Sequence, residues 1–362
     1  MKSNNPKARR KKMKPPCVFC GNQPNDKNKE HVFPKWLLKM TGFDEKEMSV
    51  GSNWDTNKEI VFNSLSYTFP ACKSCNDAFS VIEGKVKPIM ESLLLDQNVT
   101  GQDIELLLDW FDKIRISAWL GVKYLNKNIF TMTPKYYINQ RKGIKDRYLS
   151  ITNTYQEGKT LNISGINTIG FMVSPTALTL RVNNLIFVNC SSDLIISRKL
   201  GFPYKKLEIP TPGSEKIDII MGKATKKAFP KLFSSKLYSP SIFIAQPIFK
   251  IYKEFQPDLY DDDYIKDNSY DYGNGVGKIF FGKGTEIKTV ERDETLNFAM
   301  PEAKVNLGKI KVVQPIIDLQ IELLLEPKKN LRNLTAEQKV DEFKFKKLIL
   351  DSLIETAKVY NY

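Results

Sequence analysis

Four cysteines stand in two matching stretches of this sequence, CVFC at residues 17–20 and CKSCN at residues 72–76. A CxxC turn directs two thiolates to one point, and two such turns complete the tetrahedral shell of four sulfurs that zinc prefers. We therefore predict that one zinc ion is bound by Cys17, Cys20, Cys72 and Cys75. Such a shell leaves no position for water, so this zinc is predicted to be structural. The alternatives are redox-active pairs and a coincidental spacing.

The fifth cysteine stands apart from this pattern. Cys190 adjoins the apolar run at residues 185–188, which favours a small buried side chain. Five cysteines in 362 residues are few for a disulfide scaffold. No apolar run approaches the about 20 residues of a membrane-spanning helix, and the basic N-terminus is not followed by the apolar stretch of a secretory signal. We therefore expect a cytoplasmic protein with no membrane partner.

The segment between the two cysteine pairs contains KEHVFPKW at residues 29–36, with the only histidine of the chain, His31. Glu30 precedes this histidine, a proline follows three residues after it, and Asn76 directly follows the second pair. In the order of these motifs the chain resembles the HNH endonucleases of the His-Me finger group. Their pattern is CxxC, an acidic residue with His and an apolar-apolar-Pro step, and CxxCN opening a helix. The resemblance covers residues 17–76, about a sixth of the chain.

The resemblance implies a catalytic role for three residues. His31 takes the place of the general base, which removes a proton from the water that attacks a phosphodiester. Glu30 and Asn76 take the places of ligands to a divalent cation, Mg²⁺ or Mn²⁺, that stabilises the charge developing on the phosphate. The fold implied is a small zinc-bound ββα domain of the treble-clef kind.

The chemistry of these side chains agrees with that assignment. A neutral imidazole accepts a proton near pH 7, and glutamate and asparagine offer the hard oxygens that suit Mg²⁺. The alternative for His31 is a surface histidine or one that supports a neighbouring residue. Asn76 could instead cap a helix N-terminus. Glu83, two helical turns after Asn76, is expected to make a structural hydrogen bond, with a third metal ligand as the alternative.

One position departs from the family pattern. The family has an asparagine nine residues before the one that ends CxxCN, where it holds the loop that bears the base, and here that position is Tyr67. Asn63, four residues earlier, is the candidate substitute. Four residues near the site are candidates either for phosphate contacts or for the local core: Phe33, Lys35, Trp36 and Lys73.

The positive charge of the chain is concentrated at its start. The net charge is +14, and residues 1–40 carry eleven Lys and Arg against two acidic residues, a balance of +9. Clusters of this kind neutralise phosphates and bind nucleic acid without sequence preference, although a solubilising tail has the same composition. We expect residues 1–16 to be a disordered basic arm that contacts nucleic acid, DNA rather than RNA.

The rest of the chain predicts an α+β protein with a larger, β-rich C-terminal domain. We divide it into the arm, a zinc-bound HNH domain at 17–95, and a helix-flanked β-rich domain at 100–362. Apolar residues at three- and four-residue spacing predict a helix over 101–125, and a second helix is predicted over 335–358. Short β-favouring runs predict strands at 148–152, 170–173, 177–182, 185–190, 217–221, 241–244, 278–281 and 311–325.

These features together predict a metal-dependent HNH endonuclease that hydrolyses DNA, by analogy in a mobile-element or phage-defence setting. The rival interpretations are a zinc-stabilised nucleic-acid-binding protein with impaired catalysis and an RNase on the same scaffold. Residues 100–362 leave room for a protein partner or a homo-oligomer.

Overall fold

The computed structural model shows a mixed α+β protein. It describes residues 16–125 (without 25, 27, 54, 55 and 57), 138, 146–192 (without 155 and 174), 204–207, 219–222, 242–248, 266–300 (without 284 and 285), 316, 320, 340, 344, 347, 348 and 351. The basic arm predicted over residues 1–16 therefore lies outside the described residues except for Pro16. No helix within these ranges is both long enough and apolar enough to cross a membrane.

The N-terminal region is built from short strands and two helices. Its elements in chain order are β1 (Lys29–His31), α1 (Lys35–Thr41), β2 (Glu47–Asn53), β3 (Lys58–Asn63), a 3₁₀ turn (Ser64–Ser66), β4 (Thr68–Pro70) and α2 (Lys73–Leu94). Strand β1 pairs with β4, and β2 pairs with β3, both antiparallel. Helix α1 ends because Gly42 adopts the left-handed conformation, with φ of 67°.

Helix α3 (Gly101–Leu125) follows β5 (Val99–Thr100) and confirms the helix predicted over the same residues. Thr100 and Asp103 begin it with a capping box, in which each side chain bonds the other residue's backbone N–H at 2.9 and 3.2 Å. The apolar face predicted for this helix is fully buried: Ile104, Leu107, Leu108, Phe111, Ile114, Ala118 and Val122. Trp110, Lys113 and Arg115 are also buried, so the middle of α3 is covered on more than its apolar face, whereas Gln102 near its start is exposed.

The C-terminal region contains a seven-stranded antiparallel sheet in the order β16-β15-β12-β6-β9-β8-β7. Its strands are β6 (Asp146–Asn153), β7 (Leu161–Ser164), β8 (Ala177–Val182), β9 (Leu185–Ser192), β12 (Ile242–Gln246), β15 (Ile279–Lys283) and β16 (Glu286–Val290). Smaller pairs are β10 (Tyr204–Leu207) with β11 (Ile219–Gly222), β13 (Ser269–Asp271) with β14 (Val276–Gly277), and β17 (Thr295–Leu296) with β5. Six of the eight predicted strands are thereby confirmed, within a few residues at each end.

Two strand predictions were wrong. Residues 170–173 belong to helix α4 (Ile169–Val173), because the Thr168 hydroxyl accepts the N–H of Phe171 at 3.1 Å and so starts a helix. A short apolar run alone does not distinguish a strand from a buried helical turn. In the predicted strand 311–325 the described residues, Ile316 and Gln320, are both buried and helical. The described residues of the helix predicted over 335–358 are helical: Val340, Lys344, Lys347, Leu348 and Asp351.

Ion pairs join α3 to the sheet. The buried guanidinium of Arg147, on β6, pairs with Asp109 and bonds Gln246 of β12. Arg115 pairs with Asp112 at 2.6 Å and bonds Asn189 of β9. The buried apolar side chains of the N-terminal region, α3 and the sheet form one continuous cluster. Helix α3 is thus the element that contacts both regions.

Candidate functional site

The four cysteines of the two CxxC stretches lie together. Their Sγ atoms are all within 4.8 Å of one another, and Cys20 Sγ is 3.9 Å from Cys72 Sγ. Four sulfurs bound to zinc at about 2.3 Å in a tetrahedron stand about 3.8 Å apart. The spacing therefore fits one zinc ion. Cys190 is buried on β9, away from this cluster, as predicted.

Backbone contacts support the sulfurs from both stretches. The N–H of Cys72 donates to Cys17 Sγ at 3.2 Å, and the N–H of Cys17 donates to the carbonyl of Asn22 at 2.8 Å. The carboxylate of Asp26 accepts the N–H of Lys73 at 3.0 Å and so satisfies an unpaired donor at the start of α2. These contacts hold the two turns so that their thiolates converge.

Two of the four thiols, Cys72 and Cys75, have pKa values that favour the neutral form in the absence of a cation. Burial opposes the ionisation of Cys17, but N–H donors from Cys20, Cys72 and Phe19 outweigh it and lower the pKa of this thiol. Burial and the neighbouring cysteines raise the pKa of Cys72 to about 12 and that of Cys75 to about 11. A bound zinc ion would supply the positive charge that this set of donors lacks.

His31 lies at the end of β1, paired with Thr68 of β4. The next residue continues this contact, because the N–H of Val32 donates to the carbonyl of Tyr67 at 3.0 Å. Strand β4 runs two residues beyond Thr68, and α2 begins at Lys73. The chain therefore places the half-buried imidazole on a strand whose partner leads directly into the second cysteine pair.

The surroundings of His31 favour the neutral imidazole. Burial lowers its pKa, and the positive charges of Lys35 and Lys113 lower it further. The charge of Glu83 and a hydrogen bond to the backbone of Leu65 act in the opposite direction but are weaker. A neutral ring that donates from one nitrogen to a backbone carbonyl keeps the other nitrogen free to accept a proton.

Asn63 organises the turn that reaches His31. It is the N-cap of the 3₁₀ turn, and its side-chain oxygen accepts the N–H of Leu65 at 3.0 Å. The hydroxyl of Ser64 also bonds the carbonyl of Phe43 and ties the turn to the end of α1. Asn63 therefore holds the turn whose backbone contacts the imidazole.

Tyr67 fills core space where the family pattern has a polar asparagine. Its ring lies 4.8 Å from that of Phe62, 5.4 Å from Phe69 and 6.3 Å from Phe33, measured between centroids. Its hydroxyl is buried with no hydrogen-bond partner among the described residues, and burial raises its pKa. Tyr67 thus contributes packing and a backbone carbonyl to the His31 strand rather than a polar side chain.

Glu30 contacts a lysine that sequence reasoning did not select. Its Oε1 atom lies 2.6 Å from Nζ of Lys113, and the same Nζ lies 2.9 Å from Oε1 of Glu83. Lys113 also donates to the carbonyl of His31 at 2.7 Å. Glu83 thereby makes the predicted structural hydrogen bond. Burial raises the pKa of Glu83, and Glu30 raises it further, although Lys113 opposes both.

The two residues that the resemblance assigns to a divalent cation lie on different elements, Glu30 on β1 and Asn76 on α2. Glu30 is 7 % exposed and is held by Lys113. Asn76 lies half-buried in the first turn of α2, where Cys72 is the N-cap, so the N-cap interpretation of Asn76 was wrong. Across the described ranges, only the four cysteines gather three or more Cys, His, Asp or Glu ligand atoms around one point.

The four neighbouring residues divide as their chemistry suggests. Phe33 is buried in the core, and the ring of Trp36 packs 5.8 Å from that of Trp110. Lys35 and Lys73 are exposed, and Lys73 forms an ion pair with Asp77. Of these four, Lys35 is the cation whose charge acts on His31.

Lys113 was missed because it is remote in sequence, 82 residues after His31. A signal for it existed in the composition of α3. A helix that is apolar all round is buried, so any charged residue within it needs a buried partner. Glu105, Asp109 and Asp112 share one face of α3, but residues 114–122, directly after Lys113, carry a single charge and are otherwise apolar on nearly every face.

Comparisons of the chain with protein-family models, with curated proteins and with solved structures gave no match. Function is therefore inferred from the residues of this chain and from their geometry.

Proposed function

We propose that this chain is an endonuclease of the HNH type that hydrolyses phosphodiester bonds in DNA, with His31 as the general base. The observation that carries the proposal is the frame around His31. The imidazole ends β1, β1 pairs with β4, and β4 leads into α2 across the second cysteine pair. This is the strand-strand-helix order that the resemblance implies for an HNH site.

His31 suits the role of base. Its lowered pKa keeps the ring neutral near pH 7, and the backbone of Leu65 occupies one of its nitrogens. The other nitrogen can then take a proton from the attacking water as the new bond to phosphorus forms. General-base catalysis of this kind contributes roughly 10²–10⁴-fold to the rate.

Zinc in the proposed enzyme is structural. The four sulfurs would close its coordination, so the ion would hold residues 17–20 against the start of α2 and would take no part in the reaction. Mg²⁺ or Mn²⁺ remains the expected cofactor of hydrolysis. Because the Glu30 carboxylate is held by Lys113, it is not assigned to that ion.

The rival is a zinc-stabilised nucleic-acid-binding protein that does not cut. Two observations favour it: Tyr67 stands in the core in place of the family's asparagine, and Glu30 is paired with a lysine. Both proteins would bind nucleic acid through the same basic side chains. The two differ only in the chemical step.

The test compares wild-type protein with His31→Ala on plasmid DNA and on RNA, with Mg²⁺ or Mn²⁺ added or omitted. We expect DNA cleavage by the wild type and a loss of at least about 100-fold in the variant, since no second histidine can replace the base. Zinc content, folding and DNA affinity should not change. Binding without cleavage by the wild type would support the rival, and cleavage of RNA alone would identify an RNase.

A further inference from the structure

Lys113 is a buried charged residue whose ion pairs and side-chain hydrogen bonds are made with residues far from it in the sequence. Its side chain is fully buried in the middle of α3. Its ammonium lies 2.6 Å from Glu30, 2.9 Å from Glu83 and 2.7 Å from the carbonyl oxygen of His31. The carbonyl oxygen of Val32, at 3.3 Å, is a fourth and weaker acceptor. The Phe79 ring, with its centroid at 5.9 Å, lies on another side.

These contacts resemble the coordination of a small cation. Two carboxylate oxygens and two backbone carbonyl oxygens surround one positive charge on a fully buried ammonium. A divalent ion at the same carboxylates would have to stand beside this ammonium, where two positive charges repel each other at low dielectric. It would also leave the lysine buried without partners, which is unfavourable.

We infer that the Lys113 ammonium is the resident cation of Glu30 and Glu83, and that Glu30 does not bind a divalent metal in the folded protein. The inference concerns the same site as the proposed nuclease function and rests on it only for the expectation that a divalent ion is used at all. Any Mg²⁺ or Mn²⁺ that assists the reaction is then held without Glu30. Glu30 instead fixes β1 to α3 through the lysine.

Binding of Mn²⁺ to the zinc-loaded full chain tests this directly, measured by the electron paramagnetic resonance signal of the free ion, with and without a short DNA duplex. Glu30→Gln removes the charge of Glu30 but keeps an oxygen that can accept from Lys113. Glu91→Gln, an exposed position on α2, is the matched control. We expect the wild type and both variants to bind the same number of Mn²⁺ ions with the same affinity. Loss of an Mn²⁺ site, or an affinity lower by at least about tenfold, in Glu30→Gln alone would overturn the inference.

A second variant makes the opposite prediction. Lys113→Met removes the ammonium and leaves two carboxylates facing a vacated position, so the variant should bind one Mn²⁺ more than the wild type. Adding Glu30→Gln to Lys113→Met should abolish that extra site. If Lys113→Met does not fold, the Glu30→Gln titration still decides.

The outcome is separable from that of the cleavage test. A wild type that cuts DNA while Glu30→Gln loses an Mn²⁺ site would overturn this inference and leave the nuclease function standing. A wild type that never cuts, with equal Mn²⁺ binding in the wild type, Glu30→Gln and Glu91→Gln, would overturn the nuclease function. It would leave the pairing of Lys113 with Glu30 standing.

Discussion

The molecule contains two clusters of acidic side chains close to the same strand pair, and they differ in the source of the cation that would balance their charge. The sulfur cluster brings together four thiols that could hold one zinc ion, and such an ion would supply the positive charge that their ionised forms need. The carboxylate cluster, Glu30 and Glu83, receives its cation from the chain itself through Lys113. The sulfur cluster links two segments that both carry the CxxC motif. The carboxylate cluster links β1, α2 and α3, which share no sequence motif. On the predicted zinc binding, the sulfur cluster would depend on metal supply, whereas the carboxylate cluster depends on the position of α3.

The largest expected effect is on the sulfur cluster. Cys72→Ser should reduce the zinc content from about one ion per chain to none and unfold the region around α2, because the binding energy of such a site is folding energy. Metal analysis and circular dichroism measure the two effects. Cys190→Ser is the control, since Cys190 is buried on β9 away from the cluster, and it should keep its zinc. Full zinc content in Cys72→Ser would show that the four sulfurs do not share one ion.

Removing the lysine of the carboxylate cluster should destabilise the protein without changing its zinc content. Lys113→Met leaves the buried carboxylate of Glu30 and the partly buried one of Glu83 without this partner, which should lower the free energy of unfolding by about 3–5 kcal/mol. Urea denaturation of zinc-loaded protein measures this effect. Lys87→Met is the control, because the Lys87–Glu91 pair on α2 spans 3.8 Å between half-exposed side chains and should contribute less than about 1 kcal/mol. Equal losses in the two variants would contradict a buried role for Lys113.

The same contrast explains how much of the site could be read from the sequence. The four cysteines could be predicted because CxxC fixes two ligands locally, and only the closure of two turns on each other depended on the fold. The apolar face of α3 could be predicted because periodicity is also local. The partner of Glu30 could not be predicted, because that required knowing that the middle of α3 lies beside β1 in the fold.

The misread elements share that cause. Residues 170–173 form a helix because Thr168 caps them, and the Thr168 hydroxyl in turn donates to the side-chain oxygen of Gln320, which is 152 residues away. Tyr67 occupies a position where a family pattern would place a polar residue, and its role is decided by the rings of Phe62 and Phe69 around it. Spacing along the chain carries no information on such neighbours.

A smaller effect is expected where α3 meets the strand pair. A Cβ atom added at Gly121 would lie 2.8 Å from Cζ of Tyr67 and 2.9 Å from Cζ of Phe69, so Gly121→Ala should destabilise by about 1–3 kcal/mol. Gly84 on α2 has no described atom within 4 Å of that position, and Gly84→Ala should stabilise by roughly 0.5–1 kcal/mol. Thermal denaturation compares the two. Adding Tyr67→Phe should restore part of the loss at Gly121, since it removes a buried hydroxyl that has no partner among the described residues.

The smallest expected effect concerns the pH dependence of the proposed cleavage, which follows from burial of His31 and from the charges around it. Lys35 of α1 and Lys113 of α3 lower the pKa of the imidazole in addition to burial, while Glu83 of α2 and the backbone of Leu65 raise it less. A base with a lowered pKa stays neutral at lower pH, so activity should persist below the value of about 6.5 for a free imidazole. Lys35→Gln removes an exposed charge, which solvent screens, and should move the acid limb upward by less than about one pH unit. Lys39→Gln, exposed on the same helix and not among the charges that act on His31, is the control. An acid limb at or above that of free imidazole in the wild type, unmoved by Lys35→Gln, would mean that the group titrating in the pH profile is not His31 in this environment.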